Sequence, residues 1–326
     1  MSEGNRSAVY LAGPTASGKT AIGIELARRI GGEILSLDAY AVYRGMDIGT
    51  AKPTPAERAG IPHHLIDIVD PNEVFDVAQY MKLAADAESE IRGRGNVPIF
   101  VGGTPMYLKT LVYGIFDGPP GDPELRARLE AELRDLSPEE VTERLARVDP
   151  VGAARLHPNN RRRIIRALEV YMLTGRPISE WQTQWNTVEK DAKNIAVVPL
   201  IFVPEWDRAT LHGRINRRVD KIFAAGFVEE VRRLLADPCG LSRTAVAAIG
   251  YREVAEFLEG SSTLNEAVER TKARTRQFAR RQWTFLRGFP ESQLRWLPMS
   301  ADTSPAETAR RIAGLFHSQD MIPPIS

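Results

Sequence analysis

Residues 13–20 read Gly13-Pro14-Thr15-Ala16-Ser17-Gly18-Lys19-Thr20, a complete G-x-x-x-x-G-K-[ST] motif. The apolar run Ala8–Ala12 precedes it and a helix-like stretch, Thr20–Ile30, follows it. Strand, glycine-rich turn and helix in that order are the context in which such a motif cradles phosphate. Its glycines let backbone N–H groups turn inward, and the helix start adds partial positive charge. Lys19 supplies a full charge, and Thr20 can place its hydroxyl on Mg²⁺. A chain with this feature near its start is expected to be α/β, a P-loop NTPase-like parallel sheet flanked by helices. Such a cradle is expected to accept the phosphates of ATP or those of a diphosphate.

The following segments keep the βαβ rhythm. Glu33–Leu37 reads as a strand, Asp76–Arg92 as a long helix, and Val97–Val101 as a buried strand followed by Gly102-Gly103-Thr104. The rhythm breaks at Asp117–Pro123, DGPPGDP, where proline and glycine mark a linker. Charged helical stretches follow from Glu124 to Arg147 and from Asn160 to Leu173. An apolar β-type run resumes at Ile195–Val203, then helices at Thr210–Leu235 and Leu264–Arg287, a strand at Leu294–Leu297, and a terminal helix opened by Ser304-Pro305. The expected organisation is a core in two parts, 1–118 and 194–326, with an all-helical insertion at 119–193.

Composition narrows the function classes. Apolar residues make up 43% and charged residues 26% of the 326, enough to bury a sizeable core, and no apolar run approaches the roughly 20 residues that span a bilayer. The polar start Met1–Ser7 does not read as a secretory signal, and the single Cys239 rules out a disulfide framework or a cysteine-rich zinc site, so a cytoplasmic setting is expected. With a net charge of only +1, any nucleic-acid contact must come from local arginine clusters.

Two such clusters are present. In Leu156–Arg166, LHPNNRRRIIR, Arg162 and Arg166 stack four apart on a helix while Ile164, Ile165 and Leu168 point elsewhere. In the second, Arg276, Arg280 and Arg287 share one helical face and Arg270, Arg274 and Arg281 another. Hardly any acidic residue is interleaved, so little salt-bridge lacing is expected, and a solvated face and an RNA-binding face are equally open readings. The pair His63-His64 is too little for a metal site.

Asp38 stands at the carboxyl end of the second strand, where open parallel sheets bind ligands. A carboxylate there can act as general base; a cap or a Mg²⁺-water ligand is the plainer alternative. Thr104 offers a hydroxyl to the same crevice and can also cap the next helix. The strand at 97–101 ends in glycines rather than an acid, which disfavours an ATP-driven motor.

These residues carry a resemblance. GPTASGKT at 13–20, YRGMDIGTAKP at 43–53, HHLID at 63–67, GGTPMYL at 102–108, RIIRALEV at 163–170, RINRRVD at 214–220, AAIGYRE at 247–253 and TRQFARRQWTFLR at 275–287 resemble, in order, the tRNA dimethylallyltransferase family, also called tRNA isopentenyltransferase. The resemblance implies transfer of a dimethylallyl group from dimethylallyl diphosphate to N6 of the adenine 3′ of the anticodon in tRNA, with Mg²⁺ as cofactor. Asp38 would take the N6 proton and Thr104 would steady the flipped adenine. Gly13 to Thr20, Arg214 and Arg218 would hold the diphosphate and its metal, with Arg218 at the reaction centre. Asp38, Ala39, Tyr40, Ala41, Thr104, Arg126, Arg162, Arg163, Ile164, Ile165 and Arg166 would meet the tRNA. A monomer suits an enzyme that wraps a stem-loop.

The chain departs from the family pattern in places. Serine usually follows the aspartate, with glutamine two further on, where this chain reads Asp38-Ala39-Tyr40-Ala41. Asn160 stands where aspartate is common, and the zinc finger of longer members cannot form. Three other functions compete. A small-molecule kinase leaves the insertion and arginine clusters unexplained, a free adenine-nucleotide prenyltransferase would lack the insertion, and a non-catalytic RNA-binding protein would not need the intact cradle.

Overall fold

The computed structural model describes residues 8–115, 118–182 and 199–319. The chain divides into two compact units, one formed by Met1–Val112 with Ala196–Ser326 and the other by Tyr113–Ile195.

The first unit is organised by a parallel sheet in the order β3-β2-β4-β1-β5-β6. Its strands are β1 Val9–Ala12, β2 Gly32–Leu37, β3 His63–His64, β4 Val97–Gly102, β5 Ile201–Glu205 and β6 Leu294–Pro298. The central strands are buried along nearly their whole length, as expected of a parallel sheet covered on both faces by helices. Val9, Leu11, Ile34, Ile99 and Phe202 pack with Ile22, Leu26 and Ile30 of helix α1, Lys19–Ile30, and with Ile312 and Phe316 of the terminal helix. Register aligns Ala12 with Gly102 and Gly102 with Leu37, so β1, β4 and β2 release the chain at one level of the sheet.

Local signals account for the helices of this unit. Asp76 caps α3, Val77–Gly93, in a capping box with Gln79. Proline at the first position starts α2, Pro55–Arg58, and α4, Pro105–Tyr113. Two boundaries differ from expectation. The apolar run at 195–203 yields a strand only from Ile201, while 195–198 lie outside the described residues. The stretch read as one helix over 210–235 is two, α10 Arg208–Ala224 and α11 Phe227–Ala236, because Gly226 adopts φ 99° and ends the run. α12, Tyr251–Leu258, and α13, Leu264–Leu286, follow, and α14, Pro305–Gln319, closes the unit.

The second unit is helical among its described residues. It comprises α5 Pro123–Glu132, α6 Pro138–Ala146, α7 Pro150–Arg155, α8 Arg161–Thr174 and α9 Ile178–Trp181. Asp122, Ser137 and Asp149 each cap a helix whose first residue is proline. Leu129, Leu133, Val141, Leu145, Ile164 and Val170 form the core.

Candidate active site

The aligned strand exits bring three sequence motifs together. After β1 the chain enters the phosphate loop, after β2 it reaches Asp38, and after β4 it reaches Gly103 and Thr104. A Cβ on Gly102 would lie 2.1 Å from the Leu37 carbonyl oxygen, so only glycine lets these strand ends close up. Asp38 Oδ1 accepts the N–H groups of Tyr40 at 2.8 Å and Ala41 at 3.3 Å. The capping alternative is therefore real, as an Asx-type turn rather than a helix cap. The second carboxylate oxygen takes no part in that turn. Thr104 Oγ1 accepts from the Ala39 N–H at 3.0 Å, which joins the two strand exits.

The loop itself is held by side chains from far along the chain. Trp206, just after β5, donates its indole N–H to the Ser17 carbonyl at 3.0 Å. Arg214 of α10 donates Nε–H to the Ala16 carbonyl at 2.8 Å, its guanidinium stacked 4.2 Å over the Trp206 ring. Ala16 takes φ 63°, a left-handed conformation costly for a residue with a Cβ and stable only where its surroundings hold it. Lys19 Nζ donates to the Pro14 carbonyl at 2.7 Å. Burial, then the neighbouring Arg218 charge, lowers the Lys19 ammonium to about 7, against the pull of Asp38. Burial likewise lowers Arg218, again opposed by Asp38. Two cations confined beside one carboxylate make a site that gains by receiving an anion. The Thr20 hydroxyl lies at the exposed start of α1.

Arg218 is set by a loop that sequence reading left unassigned. Its Nη2 donates to the Thr50 carbonyl at 3.3 Å. Glu230 of α11 accepts the N–H groups of Asp47, Ile48 and Gly49 at 2.8, 2.6 and 3.0 Å, and the Tyr251 hydroxyl at 2.7 Å. Buried Lys52 pairs with Asp47 at 2.7 Å and Asp67 at 2.5 Å. The segment YRGMDIGTAKP thus serves as a rigid shelf beside Arg218. In the sequence the segment stands out only as one of those that carry the family resemblance.

The arginine clusters require corrections. Ile164 and Ile165, expected in the RNA-contacting stretch, are 0% and 4% exposed in the helical core, so their side chains cannot reach an RNA. Arg126 and Arg166 both pair with the carboxylate of fully buried Glu169 at 2.8 Å. Arg166 also donates to the Pro119 carbonyl at 2.6 Å. Burial raises the Glu169 carboxyl, but the Arg126 and Arg166 hydrogen bonds and the Asp122 N–H outweigh it and hold it below the usual range. Arg162 and Arg163 are the exposed members of that helix start. On α13 the expected lack of salt bridges also fails. Arg270 pairs with Glu256 at 2.8 Å, Lys272 with Asp220 at 2.7 Å, and Arg274 with Glu253. The acids come from α12 and α10, helices that a reading of one segment at a time does not see. Arg280, Arg281 and Arg287 are exposed. His64 pairs with buried Glu33 at 2.6 Å, and His63 bonds the Ile61 carbonyl at 2.8 Å.

Comparison with known proteins finds relatives along nearly the whole chain. The family model described as IPP transferase matches residues 41–289. The tRNA dimethylallyltransferase of Syntrophobacter fumaroxidans is 48% identical over 90% of this chain and 84% of its own. That of Desulforudis audaxviator is 45% identical over 95% and 98%. The crystal structure of the tRNA isopentenylpyrophosphate transferase of Bacillus halodurans superposes with a TM-score of 0.67 at 37% identity, covering 97% of this chain and 98% of that one. A eukaryotic dimethylallyltransferase, described as acting on tRNA, gives a TM-score of 0.78 at 27% identity over 98% and 81%. Among the described residues no helix is long and apolar enough to cross a membrane. Central strand ends that carry a phosphate-loop motif, a family model that matches residues 41–289, and relatives that match nearly the whole chain lead to one conclusion: this chain belongs to the IPP transferase family.

Proposed function

We propose that the chain is a tRNA dimethylallyltransferase that uses dimethylallyl diphosphate to alkylate N6 of the adenine 3′ of the anticodon. The observation that carries this reading is the in-register exit of β1, β4 and β2, which sets the phosphate loop beside Asp38 and Thr104. The end of β1 suits an anionic leaving group, and the end of β2, on the far side of β4, suits an acceptor's proton.

In this reading the donor's diphosphate enters the loop of residues 13–20, with Lys19, Arg214 and Arg218 facing its charge. The adenine leaves its stack to reach the crevice, since a base within an RNA loop cannot otherwise present its amine. N6 forms a bond to the donor's C1, the C1–O bond breaks, and its electron pair leaves with the diphosphate. The N6 proton passes to Asp38, whose free carboxylate oxygen accepts it while the other keeps the turn. Thr104 keeps that turn against β4. Thr20 at the helix start fits Mg²⁺, which takes one or two protein oxygens and fills its shell with phosphates and water; when bound, the ion would neutralise charge on the leaving diphosphate. Arg162 and Arg163 on the helical unit are the groups that would meet tRNA phosphates. Every group named for donor and proton transfer lies in one copy of the chain, so a monomer suffices.

The test is incubation of the protein with dimethylallyl diphosphate, Mg²⁺ and unmodified tRNA, followed by nucleoside analysis. The expected product is N6-isopentenyladenosine in the tRNA with stoichiometric diphosphate. Phosphorylation of a small acceptor by ATP, or prenylation of free adenine nucleotide in preference to tRNA, would replace this reading.

A further inference from the structure

Gln282 lies on α13, 267 residues from the phosphate loop, yet its side chain is tied to it. Its Oε1 accepts the Thr15 N–H at 2.9 Å, and its Nε2 donates to the Gly103 carbonyl at 2.7 Å. The residue is 3% exposed. One amide thus bonds the loop after β1 and the turn after β4. Only one orientation works, because one partner is a donor and the other an acceptor. The fit is close: a Cβ on Gly103 would stand 2.3 Å from Gln282 Nε2 and 2.6 Å from the Gly13 carbonyl oxygen. Gly103 is followed by Thr104, which holds the Asp38 turn through Ala39. A continuous path therefore runs from the donor loop through the Gln282 hydrogen bonds to Gly103, across the Gly103–Thr104 peptide link, and through the Thr104 hydrogen bond to the acceptor side.

We propose that Gln282 is a positioning residue that sets the separation between the diphosphate cradle and the Asp38–Thr104 edge. The assignment rests on the transferase reading above. Gln282 spends the Thr15 N–H on the scaffold, so that amide is withheld from phosphate and the loop is fixed before the donor arrives. A two-substrate transfer is sensitive to this separation: an error of about 1 Å between reacting groups can cost on the order of a hundredfold in rate while each substrate still binds.

The test compares Gln282→Leu, which removes both hydrogen bonds, with Gln282→Glu, which keeps an acceptor for Thr15 but has no donor for Gly103. Three quantities are measured on the full chain: single-turnover transfer at saturating tRNA and dimethylallyl diphosphate, binding of inorganic diphosphate and of tRNA separately, and hydrogen exchange of the Thr15 amide. The expected result for Gln282→Leu is a rate lower by about ten- to a hundredfold, with both binding constants within about threefold of the parent's. Thr15 exchange should be fast in Gln282→Leu and slow in the parent and in Gln282→Glu, while the rate of Gln282→Glu falls between. Three results overturn the proposal: a Gln282→Leu rate within about threefold of the parent's, a rate loss matched by an equal loss of affinity, or a rate loss that vanishes on cooling in step with restored folding. If Gln282→Leu does not fold, Gln282→Glu carries the same decision, with an unchanged rate as the overturning outcome. If the parent transfers nothing to tRNA, the transferase reading fails instead; the Thr15 exchange then decides the strap alone, and an unprotected Thr15 amide in the parent refutes it.

Discussion

Thr104 Oγ1 accepts the backbone N–H of Ala39 at 3.0 Å, across 65 residues of chain. The bond joins the exits of β2 and β4 and so fixes where Asp38 sits. The family's usual serine after the aspartate is alanine here, but the interaction uses the main chain and survives the change. Asp38 meanwhile holds Tyr40 and Ala41 by their N–H groups, again main-chain contacts. The local frame of the crevice thus depends little on the identity of residues 39–41.

Thr104→Val keeps the shape but leaves the Ala39 N–H without its acceptor. The expected cost in stability is about 1 kcal/mol, at the low end for a lost buried hydrogen bond because Ala39 is only half-buried. The transfer rate should fall by about tenfold or more as the Asp38 turn loosens. Thr104→Ser retains the hydroxyl and should restore both. Urea midpoints and single-turnover rates of the two variants decide this, and equal rates would show that the hydroxyl has no role.

Asp38→Asn separates base from brace. Asparagine Oδ1 can still accept the Tyr40 and Ala41 N–H groups, so unfolding midpoints and substrate binding should stay near the parent's. Transfer at saturating tRNA, donor and Mg²⁺ should fall by about two to four orders of magnitude, the usual worth of a general base. Asp38→Ala should lose the turn as well and melt lower. A rate for Asp38→Asn within a few-fold of the parent's would move the proton to another acceptor.

Lys19 gives a pH signature. Its ordinary value of 10.5 falls to about 7 in the folded protein. A cation depressed on folding binds its proton more tightly when unfolded, so the stability cost is full below about 7 and fades as pH rises toward 10.5. Lys19→Met should therefore melt higher than the parent at neutral pH, and the difference should close in alkali. An incoming diphosphate favours the charged form, so its binding above pH 7 should draw in a proton and weaken as pH rises. Calorimetry in two buffers of different ionisation heat measures that uptake, which Lys19→Met should abolish.

The helical unit's arginines should divide by role. Arg162→Ala with Arg163→Ala removes two exposed cations, and should weaken tRNA binding and lower the slope of log affinity against log salt by about one unit per lost phosphate contact. Melting and donor binding should hardly move. Arg126→Ala instead strips a partner from buried Glu169, which keeps Arg166 and the Asp122 N–H, so a stability loss of about 1–3 kcal/mol is expected. Because Glu169 is held below its ordinary range, its contribution is present above the unfolded carboxyl value and is lost as pH falls through the folded one. The gap between Arg126→Ala and the parent should narrow in acid. Equal salt slopes for the Arg162/Arg163 double variant and the parent would reduce those arginines to a solvated face.

Much of this molecule is legible in the order of its residues because the relevant forces are local. An apolar run, a glycine turn and a lysine-threonine helix start specify a phosphate cradle within a dozen residues, and strand ends place Asp38 and Thr104 by position alone. Cap-and-proline pairs such as Asp122-Pro123 and Ser137-Pro138 start helices through hydrogen bonds to the next turn. The tertiary structure alone decided what depends on partners far along the chain. Gln282 bonds the phosphate loop, Glu230 collects the N–H groups of 47–49, and Arg126 is drawn into a buried pair with Glu169 rather than left for a ligand. Ile164 and Ile165 turn inward for the same reason. Helical periodicity says which residues share a face, but only the packed neighbours say whether that face meets a core, a carboxylate or solvent.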